Sequence, residues 1–221
     1  MNTSFTLSDV HARADLTVYL KRAKRVDESA IRLIGAGGVL AVYAPVFTPR
    51  GILDAGPTIL GLRTFADTGG GTFDTVVAPA SVLERLARLE LEEGIAQEVP
   101  LPVAEVRAAW SGIAAPRGGW EARGSIAAGE LRAAAHAGIA EIAAALPENA
   151  GDPVVAKIRG GVWGAPLEAL PELPAGAAFA AESLGFLGEE DEPVAVWGSG
   201  AWLRASSVRG HVLIRRGGGL L

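Results

Sequence analysis

The chain of 221 residues contains no cysteine. That absence excludes a disulfide framework, a zinc finger or iron–sulfur centre held by thiolates, and a cysteine nucleophile. Lysine is nearly missing as well, at 3 residues against 17 arginines, and there are two asparagines and one glutamine beside 41 alanines. This is the bias of a GC-rich bacterial genome and carries little functional information. Long apolar runs are lacking: Val39–Val42 and Ala143–Leu146 fall far short of the roughly 20 residues that span a bilayer. No membrane association is expected. Met1–Leu7 is short and polar and is followed by Asp9, His11, Arg13 and Asp15, so no signal peptide is read there and a cytoplasmic location is expected. An excess of positive charge is also absent. The formal net charge of −5 argues against a general polyanion binder, so nucleic acid is not expected as a partner.

What is present is enough for a folded core. Glycine and proline number 29 and 13, below the roughly 25–30% of a disordered low-complexity chain. A chain of this length buries about 70% of its unfolded surface, so the core requires no metal or disulfide.

Patterning gives an α+β class: an N-terminal helix, an antiparallel β-meander and a helix, then an alanine-rich helical segment and a C-terminal antiparallel β-meander. The first helix starts at Ser8 or Asp9, carries the stripe Val10, Leu16, Leu20, Ala23, and gathers Lys21, Arg22, Lys24 and Arg25 in its last turn, where cations complement the helix dipole. Ile31–Ile34 and Val39–Tyr43 flank Gly35-Ala36-Gly37-Gly38 as a hairpin. It is apolar on both faces apart from Arg32, so both faces are expected to be covered, by the protein's own helices or by a second copy. Strands are read at Thr58–Phe65 and Phe73–Val77, and a helix from Ser81 with Ser81 and Glu84 as capping box. Residues 1–98 thus read α-β-β-β-β-α.

Composition changes after Leu101-Pro102: residues 101–150 hold 17 alanines, and all five tryptophans fall between 110 and 202. Val103, Val106, Trp110 and Ile113 stand at helical spacing, and Leu131, Ala135, Ile139, Ile142 and Leu146 mark a longer helix. Shorter helices follow Asp152-Pro153 and Pro174, the latter stopped by Gly188, and Glu189–Glu192 reads as a solvated acidic linker. Strands Val194–Trp197, Ala201–Ala205 and His211–Arg215 close the chain. Residues 99–221 form the second half, with a boundary near Gly94–Pro102.

Motifs for chemistry fail on context. Gly35-Ala36-Gly37-Gly38 lacks the third glycine and the helix of a dinucleotide loop, and Gly69-Gly70-Gly71 lacks the Lys-Ser or Lys-Thr of a P-loop. Ser199 lacks the spacing of a nucleophile elbow. His11, His136 and His211 have no metal-ligand spacing. No catalytic residue, metal or cofactor is expected.

Arginine and tryptophan are the exception. Pro116–Glu121 places Arg117 and Trp120 in a glycine loop, and Trp197 and Trp202 flank a short turn so that their indoles face each other. Arg204, Arg209, His211, Arg215 and Arg216 follow with no acidic residue after Glu192. Arg117, Trp120, Trp197, Trp202, Arg204, Arg209 and His211 are the candidate binding residues, set against a reading in which the tryptophans fill the core and the arginines solvate an edge strand. Pro116–Glu121 together with Val196–His211 resembles an uncharacterised family of high-GC Gram-positive bacteria, over most of the chain. That family has no assigned activity, so the resemblance carries over no functional residue. The expectation is a non-catalytic cytoplasmic binding protein acting as a homodimer. The alternative is an enzyme or sensor for a small anionic ligand held in an Arg/His/Trp pocket.

Overall fold

A computed structural model describes residues 4–49, 54, 56–89 and 96–217. The architecture is α+β, with five α-helices and antiparallel strand pairing. Two compact units are present: Met1–Pro45 with Leu62–Ala114, and Val46–Gly61 with Ala115–Leu221. Gly94, where the boundary read from composition begins, lies outside the described residues.

The first unit is built from β1 (Ser4–Leu7), α1 (Val10–Val26), β2 (Ile31–Ala36), β3 (Val39–Phe47), β4 (Thr58–Ala66), β5 (Phe73–Val77), α2 (Pro79–Arg88) and β6 (Gln97–Pro100). The ends of β3 and β4 fall in the second unit. Asp9 starts α1 by accepting the backbone N–H groups of His11 and Ala12 at 2.8 and 2.9 Å. The Ala12 bond above all holds its carboxyl below the usual carboxylate range. Leu16, Tyr19, Leu20 and Ala23 form the buried stripe of α1, and Tyr19 donates its hydroxyl to the carbonyl of Val42 at 3.2 Å. Burial pushes the Tyr19 phenol well above its ordinary value.

The β2–β3 hairpin turns at Gly37 and Gly38, both at positive φ (59° and 77°), a pair of conformations that glycine adopts without strain. Burial along β2 alternates strictly. One face of the hairpin is core and the other is half-buried, with Arg32 gripping Asp74 of β5 through two bonds of 2.7 and 2.6 Å.

β1 and β6, each four residues long, pair antiparallel and were not separable from loop by pattern. Buried Asp67 fastens the loop after β4 to β1, accepting N–H groups from Thr6, Gly69 and Gly71 at 2.9, 3.1 and 3.2 Å. α2 starts at Pro79, two residues earlier than expected; a first-turn proline replaces the capping box, and Ser81 donates instead to the carbonyl of Ala78 at 2.7 Å. The helical spacing of Val103–Ile113 does not make a helix. Only a 3₁₀ turn, Ala109–Gly112, forms around buried Trp110, while Val103 is 93% exposed.

The second unit contains β7 (Glu121–Ala127), α3 (Ala128–Ala145), α4 (Asp152–Gly164), α5 (Ala175–Leu184), β8 (Pro193–Ser199), β9 (Trp202–Ser207) and β10 (Gly210–Arg215), with strands ordered β10-β9-β8-β7. β7 was missed in the sequence because its first five residues are all exposed and it is broken by a bulge between Ala122 and Gly124. Alanines at 177, 178, 180 and 181, with Gly176 and Leu184, form the buried side of α5. The unit's largest core group, Trp163, stacks on Phe179 at 4.6 Å between ring centres. Gly138 of α3 makes room for it: a Cβ there would stand 2.3 Å from the indole. α5 stops at Gly185 rather than Gly188, because Gly185 takes the left-handed conformation (φ 76°) that closes the last turn. The acidic run is likewise no free linker. Carbonyls of Glu192 and Glu190 accept the N–H groups of Ala128 and Gly129 at 2.9 and 2.8 Å, capping α3.

Candidate functional site

Strand register decides which of the candidate residues meet. β8 and β9 pair Trp197 with Arg204 and Ser199 with Trp202, so the indoles of Trp197 and Trp202 do not face each other as expected. Residues Trp197 and Arg204 project to the same side of the sheet, and the loop before β7 brings Trp120 over them. The Arg204 guanidinium lies 4.6 Å from the Trp120 ring centre and 5.7 Å from that of Trp197, within the range of cation–π attraction. Trp120 is itself pinned by donating its indole N–H to the carbonyl of Pro116 at 3.1 Å. Among the described residues, Arg204 Nε is buried with no hydrogen-bond partner. Burial pulls the Arg204 pKa downward.

His211 lies opposite Ser206, its Nδ1 2.9 Å from the hydroxyl oxygen. Burial first, and the Arg204 charge second, hold its pKa below the ordinary histidine value, favouring the neutral ring. The other candidates do not join this cluster through any ion pair or ring contact. Arg209 spends its charge on Glu192, at 2.9 and 2.8 Å to the two carboxylate oxygens. Trp202 is 7% exposed and belongs to the core, while Arg117 is exposed on its loop. The edge strand is β7 and not the arginine-bearing β10.

A second concentration of charge lies in the first unit. Lys21, Lys24 and Arg25 are exposed on the last turns of α1, with half-buried Arg22 between them, and Arg88 is exposed at the end of α2. Among the described residues, none of these five has an ion pair, whereas Arg63 satisfies Asp15. A groove of about 660 Å³ between the helices is lined by Val18 and Leu83 and by the charged Arg13, Lys21, Lys24 and Glu84. The residues were visible in the sequence, but their grouping was read only as helix-dipole complementarity. Among the described residues no three histidine, aspartate or glutamate side chains are grouped to hold a metal ion. No helix among them is long and apolar enough to cross a membrane.

The fold is similar to that of DNA polymerase sliding clamps. A putative DNA polymerase III beta subunit from Eubacterium rectale superposes with a TM-score of 0.52 at 9% identity, covering 100% of this chain and 66% of the other. The Caulobacter crescentus beta sliding clamp gives 0.50 at 14%, covering 99% and 66%. A Bartonella birtlesii sliding clamp bound to griselimycin gives 0.50 at 13%, again covering 99% and 66%. At such identities the likeness is one of fold. The chain spans 65–67% of the length of the clamp chains it resembles.

By sequence, the family model described as "Domain of unknown function (DUF8010)" matches residues 1–112, and the chain belongs to that family. A second, "Domain of unknown function (DUF8185)", matches residues 115–219. No curated protein matches.

The clamp fold corrects three expectations. It replaces the reading of a non-catalytic binding protein of no assignable class. It equally replaces the alternative of a small-anion enzyme or sensor, for which Arg209, Trp202 and Arg117 are in any case not assembled with Arg204. It also removes the exclusion of nucleic acid as a partner. The physical error was averaging. A net charge of −5 over the chain says nothing about a five-cation surface felt within a Debye length of about 8 Å.

Proposed function

We propose that this protein is a clamp-like, DNA-associated protein that rests the α1–α2 face of its first unit against the phosphate backbone of a duplex. The observation that carries the reading is the set Lys21, Arg22, Lys24, Arg25 and Arg88, cations that have no ion pair among the described residues. Lys21, Lys24 and Arg25 are three and four residues apart and share one helix face, the spacing that lets them act together. Charges left uncompensated on an acidic protein are suited to a polyanion, and phosphate contacts of this kind carry affinity without base specificity. The fold's relatives, a beta sliding clamp and a putative DNA polymerase III beta subunit among them, support the same reading.

The test is duplex binding by fluorescence anisotropy across a salt series. With five phosphates neutralised, log K should fall with log[salt] at a slope of about −4.5. Replacing Lys21, Arg22, Lys24 and Arg25 together by glutamine leaves Arg88 and should bring the slope to about −0.9. A parent that fails to bind duplex at low salt, or a variant with the parent's slope, would overturn the reading.

Three narrower statements belong with this proposal. The arginine-for-lysine bias supports an origin in high-GC Gram-positive bacteria, and a cytoplasmic location fits a DNA-associated role. The composition change after Leu101 supports a division into residues 1–98 and 99–221, which limited proteolysis tests.

A further inference from the structure

We infer that Arg204, held against Trp120 and Trp197, is a receptor for the carboxylate of an acidic side chain in a protein partner. The surface lies in the second unit and is independent of the helix face argued above. Four other arginines of this unit, Arg123, Arg132, Arg209 and Arg216, each have a carboxylate within 4 Å, on Glu121, Glu182, Glu192 and Glu172. Arg204 has none. Its Nε is buried and unbonded, while its two terminal nitrogens are neither bonded nor buried. The two indoles hold the guanidinium in one orientation, so the side-chain entropy that binding would cost has already been removed. A fixed guanidinium fork matches a carboxylate through two parallel hydrogen bonds.

The surroundings choose the ligand. His211, the nearest titratable group on β10, is kept neutral, so it neither competes for a carboxylate nor adds charge. One uncompensated cation suits one carboxylate, not a ladder of phosphates. Half-buried Trp120 and Trp197 flank the charge with apolar surface on an open sheet face. A free small anion would gain nothing from that surface. A peptide carrying aliphatic or aromatic residues beside its aspartate or glutamate would bury it, as arginine and tryptophan anchors do at protein interfaces.

Random heptapeptides displayed on phage and panned against the full chain test this. The parent should enrich aspartate or glutamate next to an apolar residue. Synthetic copies of the enriched peptides should bind at least tenfold more weakly to Arg204→Gln and to Arg204→Lys. The same loss should follow when the peptide acid becomes its amide. Trp120→Ala, in a surface loop, is the second variant should Arg204→Gln not fold, and should weaken the same peptides. No acidic enrichment, or equal affinity of parent and folded variants, would overturn the inference. A loss of duplex DNA binding in Arg204→Gln matching that of the α1 variant would also overturn it, and would assign the cluster to phosphate instead.

Discussion

Two long helices invite comparison. α1 has 17 residues and α3 has 18, and each buries one stripe against a second helix of its own unit. Their outer faces are opposites. α1 turns Lys21, Lys24 and Arg25 outward, whereas α3 exposes Ala133, Ala137, Ala140 and Ala144, and its single arginine is engaged by Gly188 and Glu182. The inner faces differ as well. α1 packs through a large side chain, Tyr19, and α3 through an absence, at Gly138, filled by Trp163 from α4. Packing therefore fixes one side of each helix and leaves the other free, and the free side carries positive charge on α1 but alanines with Glu130, His136 and Glu141 on α3.

The comparison is broken most severely at the hole in α3. Trp163→Ala should cost about 3–5 kcal/mol, the range for emptying a buried indole site, read as a shift in urea midpoint. Filling the hole from the other side with Gly138→Ala forces the ring away and should cost about 1–3 kcal/mol. If both variants melt with the parent, the close fit of Trp163 against α3 does not exist in solution.

In the first unit the matching change is gentler. Tyr19→Phe keeps the packing and removes the hydroxyl donor to Val42, so a loss of about 1 kcal/mol is expected in the same assay.

A pH titration separates the units further. His211 has a folded-state pKa below its unfolded value, so the unfolded chain binds the proton more readily. Its contribution is complete above the unfolded value near 6.5 and is lost as pH falls from there toward the depressed folded value. Thermal midpoints of the parent should drop over that window, and His211→Gln should flatten the drop.

The smallest effect is expected on the alanine face. Lysines placed singly at 133, 137, 140 or 144 should each change stability by less than about 0.5 kcal/mol, since those positions face outward. A larger loss at any of them would show that α3's outer face is packed and that its difference from α1 is not one of charge alone.

Much of the fold was legible because its signals were local. Asp9 as N-cap, the two-glycine turn of the β2–β3 hairpin and the three C-terminal strands all follow from neighbouring residues. What escaped depended on distant partners. β1 and β6 pair across ninety residues or more and are only four residues long, and β7 pairs with β8 across some seventy with its first five residues exposed. Val103–Ile113 misled because periodicity without capping does not make a helix. At the sites, residue type was readable and grouping was not. Trp120, Trp197 and Arg204 meet only through strand register and a loop, and Arg209 looked free until Glu192 was found beside it.

The path of the chain through the two units has a consequence for biosynthesis. Val46–Gly61 is grouped with residues from Ala115 onward, although the chain between them belongs to the first unit. On the ribosome, this segment emerges and then waits for roughly 50 residues of later synthesis, about 3–10 s at ordinary elongation rates, before its own unit begins to appear. During that interval Ile59 and Leu60, fully or almost fully buried in the finished protein, have no completed core to enter. The nascent chain thus carries an apolar segment whose shelter is encoded downstream, which makes the order and speed of translation part of how this protein reaches its native state.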